Sequence, residues 1–335
     1  MIRRIFIFFI AAFVVLWLVG AHLLKSKVVF LVKAAQTDNF KFAYEDVKTM
    51  GFPFAWKVKI ISPKFTITDQ TKSSDIAFEQ VIISFNYALT RVSVDFGTKV
   101  NLNNLKAEKP ANYELTGGQD KILMRINLNK SIYFVKNRLG WHDIKSLAIR
   151  LPEITALQNE KQIFIISDAN LIVDKTNEGQ IQNVNVRIGG NYKGEKGFLK
   201  FQTANIGTDV DYMISDNMAG DNKRGILFER LLKINKGHVV LDKSSISLEG
   251  AINFNRDKLP IGDISVSMVK YPDLISQISP ASFMLPSLPL RKIISRVAKE
   301  QAKSDNAFDN DNLKFKIKFS DEGLSVGKIN LLGIK

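Results

Sequence analysis

The distribution of apolar and polar positions divides the chain in two. From Ile5 to Leu24 it reads IFIFFIAAFVVLWLVGAHLL, twenty residues without a formal charge. Beyond about residue 55 the dominant period is two. Leu313, Phe315, Ile317 and Phe319 alternate with Lys314, Lys316 and Lys318, the pattern of a strand with one buried face and one lysine face. Ile122, Met124, Ile126 and Leu128 repeat it, as do Val92, Val94 and Phe96. Val184, Val186 and Ile188 follow, then Ile246, Leu248, Ile252 and Phe254 across Gly250, then Ile264, Val266 and Met268. Turn residues separate these runs at Gly117-Gly118, Asn177-Glu178-Gly179, Gly189-Gly190-Asn191 and Asp321-Glu322-Gly323. Many strands joined by short polar turns predict a mainly β protein, a large curved antiparallel sheet that is open or closed into a sandwich, with a few short helices.

Helical signals are sparse. Ser287 is placed to cap a helix with Pro289 in its first turn, giving a segment near 288–303. Leu290, Ile293, Ile294, Val297 and Gln301 share one face of it, and Arg291, Lys292, Arg296, Lys299 and Lys303 crowd the other. Such a helix either packs over the end of the sheet or lies on a membrane surface through its basic face. Tyr271 to Ile278 reads as a second short helix stopped by Pro280. Residues 209–224 (DVDYMISDNMAGDNKR) read as a polar loop dividing a β-rich half, 25–208, from another, 225–335.

The uncharged N-terminal run is long enough to cross a bilayer core as a helix. Arg3 and Arg4 precede it, which retains residues 1–4 in the cytoplasm, makes 5–24 a transmembrane signal-anchor and sends the bulk of the chain across. The competing readings are a cleaved signal peptide with Val19-Gly20-Ala21 at the cleavage point and, least favoured because the run has no polar side to face water, a buried core helix. The apolar run continues past that point and favours the anchor.

Composition removes several function classes. Of 335 residues none is cysteine, which excludes thiolate metal sites, thiol nucleophiles and cysteine lipidation. The net charge is 47 − 33 = +14, and 35 of the 47 basic residues are lysines scattered along strands. Nucleic-acid binders cluster their basic residues with stacking aromatics, so an anionic membrane near the anchor is the better partner. No phosphate-binding glycine loop occurs, and no cofactor is implied. The histidines are His22, His142 and His238, and no nucleophile elbow accompanies them. Asp305, Asp309 and Asp311 lack the glycine and closing glutamate of a calcium loop. An extracytoplasmic hydrolase is therefore the weakest reading, and a non-enzymatic role is expected.

The most distinctive motif is Gly51-Phe52-Pro53-Phe54 followed by Trp56 and a strand. Pro53 makes Phe52 extended, and the aromatics Phe52, Phe54 and Trp56 then cap the end of a sheet or line a binding surface. With the preceding anchor, Phe42-Ala43-Tyr44-Glu45-Asp46-Val47, Pro63 and Phe65, this motif resembles an uncharacterised bacterial domain-of-unknown-function family of single-anchor envelope proteins. The C-terminal half, through His238–Asp242, Ser247-Leu248-Glu249-Gly250, Pro260–Val266 and Asp321–Ile329, is similar to the strand repeats of AsmA-like proteins. The resemblance implies an inner-membrane anchor, a curved sheet projecting into the periplasm, and a part in lipid movement or outer-membrane upkeep. Neither family supplies catalytic residues. The expected function is thus to bind or handle lipid, or another hydrophobic envelope component, in an apolar sheet groove. Ile122, Met124, Ile126, Ile246, Leu248 and Phe254 are the candidate groove residues, and Arg291, Lys292, Arg296 and Lys299 the candidate membrane-surface residues. The alternative is a closed core that binds a protein partner of the envelope.

Overall fold

The computed structural model describes residues 2–34, 36–52, 55–68, 73–104, 112–117, 121–135, 139–158, 160–178, 181–194, 201–215, 230–254, 260–277, 294–300 and 311–333, with the backbone alone at 2–13, 16, 104, 133, 178, 181, 215 and 331–333. The protein is mainly β and its described strand pairs are antiparallel. The chain forms two compact units that divide after Ile165. Of the expected 209–224 loop, residues 216–224 lie outside the described residues. Residues 209–215 continue a strand, because their alternation of Asp209 and Asp211 with Val210 and Tyr212 fits a sheet with one polar face.

Unit 1 starts with helix α1 (Ile2–Ala34). Then come β1 (Phe40–Ala43), β2 (Asp46–Met50), β3 (Trp56–Ile61), β4 (Lys64–Thr68), β5 (Ser73–Phe78) and β6 (Gln80–Phe85). After them come β7 (Arg91–Asp95), β8 (Lys99–Asn104), β9 (Asn112–Thr116), β10 (Leu123–Leu128), β11 (Ile144–Leu151) and β12 (Ile154–Gln158). One ladder runs β2-β3-β6-β7-β10-β11 and the other β1-β4-β5-β8-β9-β12. Successive strands β1–β2, β3–β4, β5–β6 and so on are therefore the halves of long strands, each broken at the same level of one meander. The breaks carry the residues that breaking requires: Pro63 after Ser62 (φ 50), Gly97 (φ 77) and Pro152.

The inner face of the first ladder is apolar. Val58 pairs with Ile83, Ile83 with Val94 and Val94 with Met124, while Trp56, Phe85, Val92 and Ile126 make the next row. The C-terminal half of α1 lies on this face. Trp17, Ala21, Leu24 and Val28, spaced four, three and four apart, are its buried stripe. Leu24 and Val28 join Val47, Val58, Ile60, Val81 and Phe85 in one core. A second cluster of Val100, Ile122 and Ile154 fills the other ladder.

Among the described residues no helix is long and apolar enough to cross a membrane. Half of the uncharged run, residues 5–13 and 16, has no described side chains.

Unit 2 is a simple meander. β13 (Lys161–Glu178) enters it and leads to β14 (Ile181–Gly194), β15 (Thr203–Ser215), β16 (Arg230–Leu241), β17 (Ser244–Phe254) and β18 (Ile261–Val269). Helix α2 (Tyr271–Gln277) follows, then a helical segment at 294–300, then β19 (Asn312–Ser320), β20 (Gly323–Val326) and β21 (Ile329–Gly333). The Gly189-Gly190-Asn191 turn expected from sequence is instead mid-strand in β14. These glycines admit β13, since a Cβ on Gly190 would lie 3.1 Å from Ala169. Gly250 and Gly262 serve β17 and β18 in the same way. Their φ values are +154° and +152°, and a Cβ on either would lie 2.1 Å from a cross-strand carbonyl oxygen.

Candidate functional site

Register sorts unit 2 into two faces. On one, Val184 pairs with Tyr212, Tyr212 with Leu232 and Leu232 with Ile252. The next rows are Val186–Val210–Ile234 and, beyond a bulge, Leu248–Val266–Phe315 and Val239–Ile246–Met268–Leu313. These rows are apolar apart from the Tyr212 and Thr208 hydroxyls. One end is covered: Leu274 of α2 and Ile294, Val297 and Ala298 of the 294–300 segment pack on Leu241, Val266, Met268 and Leu313. The other end is not covered by any element of the described residues. None of Val184, Val186, Val210, Leu232 and Ile234 is buried, and Ile188 and Ile206 are each 44% exposed. No core cluster among the described residues includes any of these seven.

The opposite face is a polar ladder. Asn185 Nδ2 donates to Asp209 Oδ1 (2.7 Å) and Asp211 Oδ1 (2.8 Å), and Asn235 Nδ2 donates to Asp211 Oδ2 (2.7 Å). Burial pushes the Asp211 carboxyl up, but the Asn235 and Asn185 hydrogen bonds and the nearby Lys233 charge outweigh it, leaving it below the ordinary carboxylate range. These aspartates, read from sequence as loop carboxylates, accept hydrogen bonds that tie three strands together. Asn191, Asn205 and His238 extend the ladder, with His238 Nε2 2.8 Å from Asn205 Oδ1.

The sequence-selected residues fall in separate places. Phe52 is 50% exposed and meets Trp17 edge-on at 4.9 Å between ring centroids. Trp56 is half-buried against Gly20 and 6.3 Å from the Tyr87 ring, while Phe54 lies outside the described residues. Met124 and Ile126 pack in the core under α1, whereas Ile122 belongs to the cluster of the other ladder. Ile246 and Leu248 lie at the covered end of the unit 2 face, and half-buried Phe254 pairs with Arg230. Arg296 and Lys299 are exposed opposite buried Ile294, Val297 and Ala298. The apolar side of that helix is thus spent on the protein core. Arg291 and Lys292 lie outside the described residues.

Family models, curated proteins and solved structures yield no match to this chain.

Among the described residues the polar partners of His142 and His238 are Asp143 and Asn205, neither of them a hydroxyl nucleophile. His142 is exposed and its Nε2 stands 3.4 Å from Asp143 Oδ2. Asp143 is committed elsewhere: Lys130 Nζ sits 2.7 Å from Oδ1 and the Gly140 N–H donates to Oδ2 at 3.1 Å. The Lys130 hydrogen bond, foremost, holds its carboxyl below the ordinary range against the opposing effect of burial. No cluster of metal-ligating side chains occurs among the described residues.

Sequence reasoning missed the role of α1 in the core and the uncovered rows of β14–β16. The stripe Trp17, Ala21, Leu24, Val28 was the available signal for the first. It was hidden because its first three residues lie within a run that is apolar on almost every side.

Proposed function

We propose that the protein is an envelope protein held at a membrane by α1, and that it binds the acyl portion of a lipid on the uncovered apolar face of unit 2. The carrying observation is the block Val184, Val186, Ile188, Ile206, Val210, Leu232 and Ile234, apolar, contiguous by register and outside every core cluster of the described residues. Finishing the burial of one such side chain is worth about 1 kcal/mol, so covering the block contributes on the order of 5–7 kcal/mol. A fatty acyl chain matches it chemically, because the only hydrogen-bonding side chains within these rows are Tyr212 and Thr208. The likeness of the C-terminal half to AsmA-like proteins, anchored in the bacterial inner membrane with the sheet in the periplasm, supports the same reading.

Unit 1 supports the second reading, a closed core that serves a protein partner, since α1 already fills its apolar face. The two are separated by native mass spectrometry of protein released gently from membranes. Co-purifying acyl lipid, lost in Val186→Asp and Ile234→Asp variants that keep their circular dichroism, supports lipid binding. Lipid-free protein, with one dominant protein crosslinked in cells, overturns it.

A further inference from the structure

The two ends of unit 1 differ in chemistry. In the meander the strands that precede and follow 51–55, 86–90 and 129–143 meet at one end, and those that precede and follow 69–72, 105–111 and 159–160 meet at the other. The second set reads DQTK, LKAEKPA and NE, without an aromatic residue. Each connection of the first set exposes at least one ring: Phe52 (50%), Tyr87 (65%), and Phe134 (70%) with Trp141 (48%). Amphipathic and aromatic rings of this kind concentrate at the boundary between a bilayer and water.

The helix emerges at the aromatic end. Trp17 meets Phe52 and Gly20 meets Trp56, so the chain N-terminal to Trp17 continues beyond the strand ends. Around this exit the helix side turned from the sheet is also apolar and open: Val15 is 59% exposed, Leu18 56%, Val19 53% and Leu23 52%. The length of the run then sets a depth. At 1.5 Å per residue the twenty residues from Ile5 to Leu24 cover about 30 Å, the thickness of a bilayer core. The eight from Trp17 to Leu24, about 12 Å of that length, are the ones that run against the sheet. Only the twelve residues from Ile5 to Leu16, about 18 Å, extend beyond the strand ends, less than a bilayer core, so the helix can be embedded only if the end of the sheet meets the membrane surface.

We propose that the aromatic end of unit 1 is seated in the interfacial layer of the phospholipid bilayer that holds α1, with Phe52, Tyr87, Phe134 and Trp141 at headgroup depth. This rests on the membrane-anchored reading of α1 and adds an orientation: the strands of unit 1 stand on the membrane by their aromatic turns. The absence of cysteine makes the test direct, because single cysteines can be placed in the full-length chain. Tyr87→Cys, Phe134→Cys and, at the opposite end, Glu160→Cys are labelled with an environment-sensitive fluorophore. The labelled proteins are reconstituted in vesicles of equal parts phosphatidylcholine and phosphatidylglycerol, with and without headgroup-region nitroxide lipid. Expected are a blue shift and loss of emission to the nitroxide at positions 87 and 134, and neither at 160. Protein that floats with the vesicles while all three labels report water overturns the seating and leaves the anchor intact. Protein that does not float with the vesicles removes both.

Discussion

Leu24 and Leu23 are neighbours on α1 with opposite surroundings: Leu24 is 1% exposed and Leu23 52%. A helix acting only as an anchor would use the two alike, whereas a helix that closes the apolar face of unit 1 would not. Truncating Leu24 to alanine removes three carbons from a site packed by Val28, Val47, Val58 and Phe85. At about 0.8 kcal/mol per buried methylene this is roughly 2.4 kcal/mol, and the residual cavity raises it to about 3–4 kcal/mol. Leu23→Ala is expected within about 0.5 kcal/mol of wild type in detergent or lipid. For a unit of this size 3 kcal/mol corresponds to a fall in Tm of about 6–12 °C. All three tryptophans, Trp17, Trp56 and Trp141, lie in unit 1, so their fluorescence follows that unit without interference from unit 2. Thermal and urea unfolding of the full chain in mild detergent is the assay. Equal shifts for the two variants, or a Leu24→Ala shift below about 2 °C, would refute the packing of α1 on the sheet.

Gly250→Ala or Gly262→Ala puts a Cβ 2.1 Å from a cross-strand carbonyl oxygen and is expected to cost about 3 kcal/mol or more, read as faster hydrogen exchange across β17 and β18; unchanged exchange would remove the close approach. Asp75 is 2% exposed, 2.6 Å from Lys64 Nζ and bound by the Thr66 hydroxyl at 2.7 Å, so Asp75→Ala should destabilise unit 1 by about 1–3 kcal/mol in tryptophan-detected unfolding, with Thr66→Val costing less. Asp143 titrates below its unfolded value of about 3.9, so its ion pair with Lys130 stabilises the fold fully above that pH and loses its effect as pH falls through the lower folded value. Asp143→Asn should therefore lower stability at neutral pH and flatten the acid limb below about pH 4, and parallel pH profiles for the two proteins would contradict the pairing.

The period-two runs were legible because alternation is a property of each strand alone. The runs at 92–96, 122–128, 246–254 and 313–319 emerge as β7, β10, β17 and β19 with the expected residues on one side. Helix α2 was legible for the same reason, its signals lying within seven residues. Glycine was misread at Gly189-Gly190, since a glycine that opens a turn and one that admits a neighbouring strand look identical until that strand is in place. The aspartates of 209–211 were misread because their partners, Asn185 and Asn235, stand 24 residues or more away.

What the sequence determined by itself is the class and the polarity of the chain: an uncharged apolar run behind two arginines, then strands with one apolar and one polar face, without cysteine chemistry. These follow from local pattern and from composition. What only the tertiary structure decided is how each apolar face is covered. The stripe on α1 closes that of unit 1, and two short helical segments cover only part of that of unit 2. Alternation says that a face must be buried, but not against what, because the covering element lies far away in sequence and is selected by fit and area, neither of which a strand's own residues record.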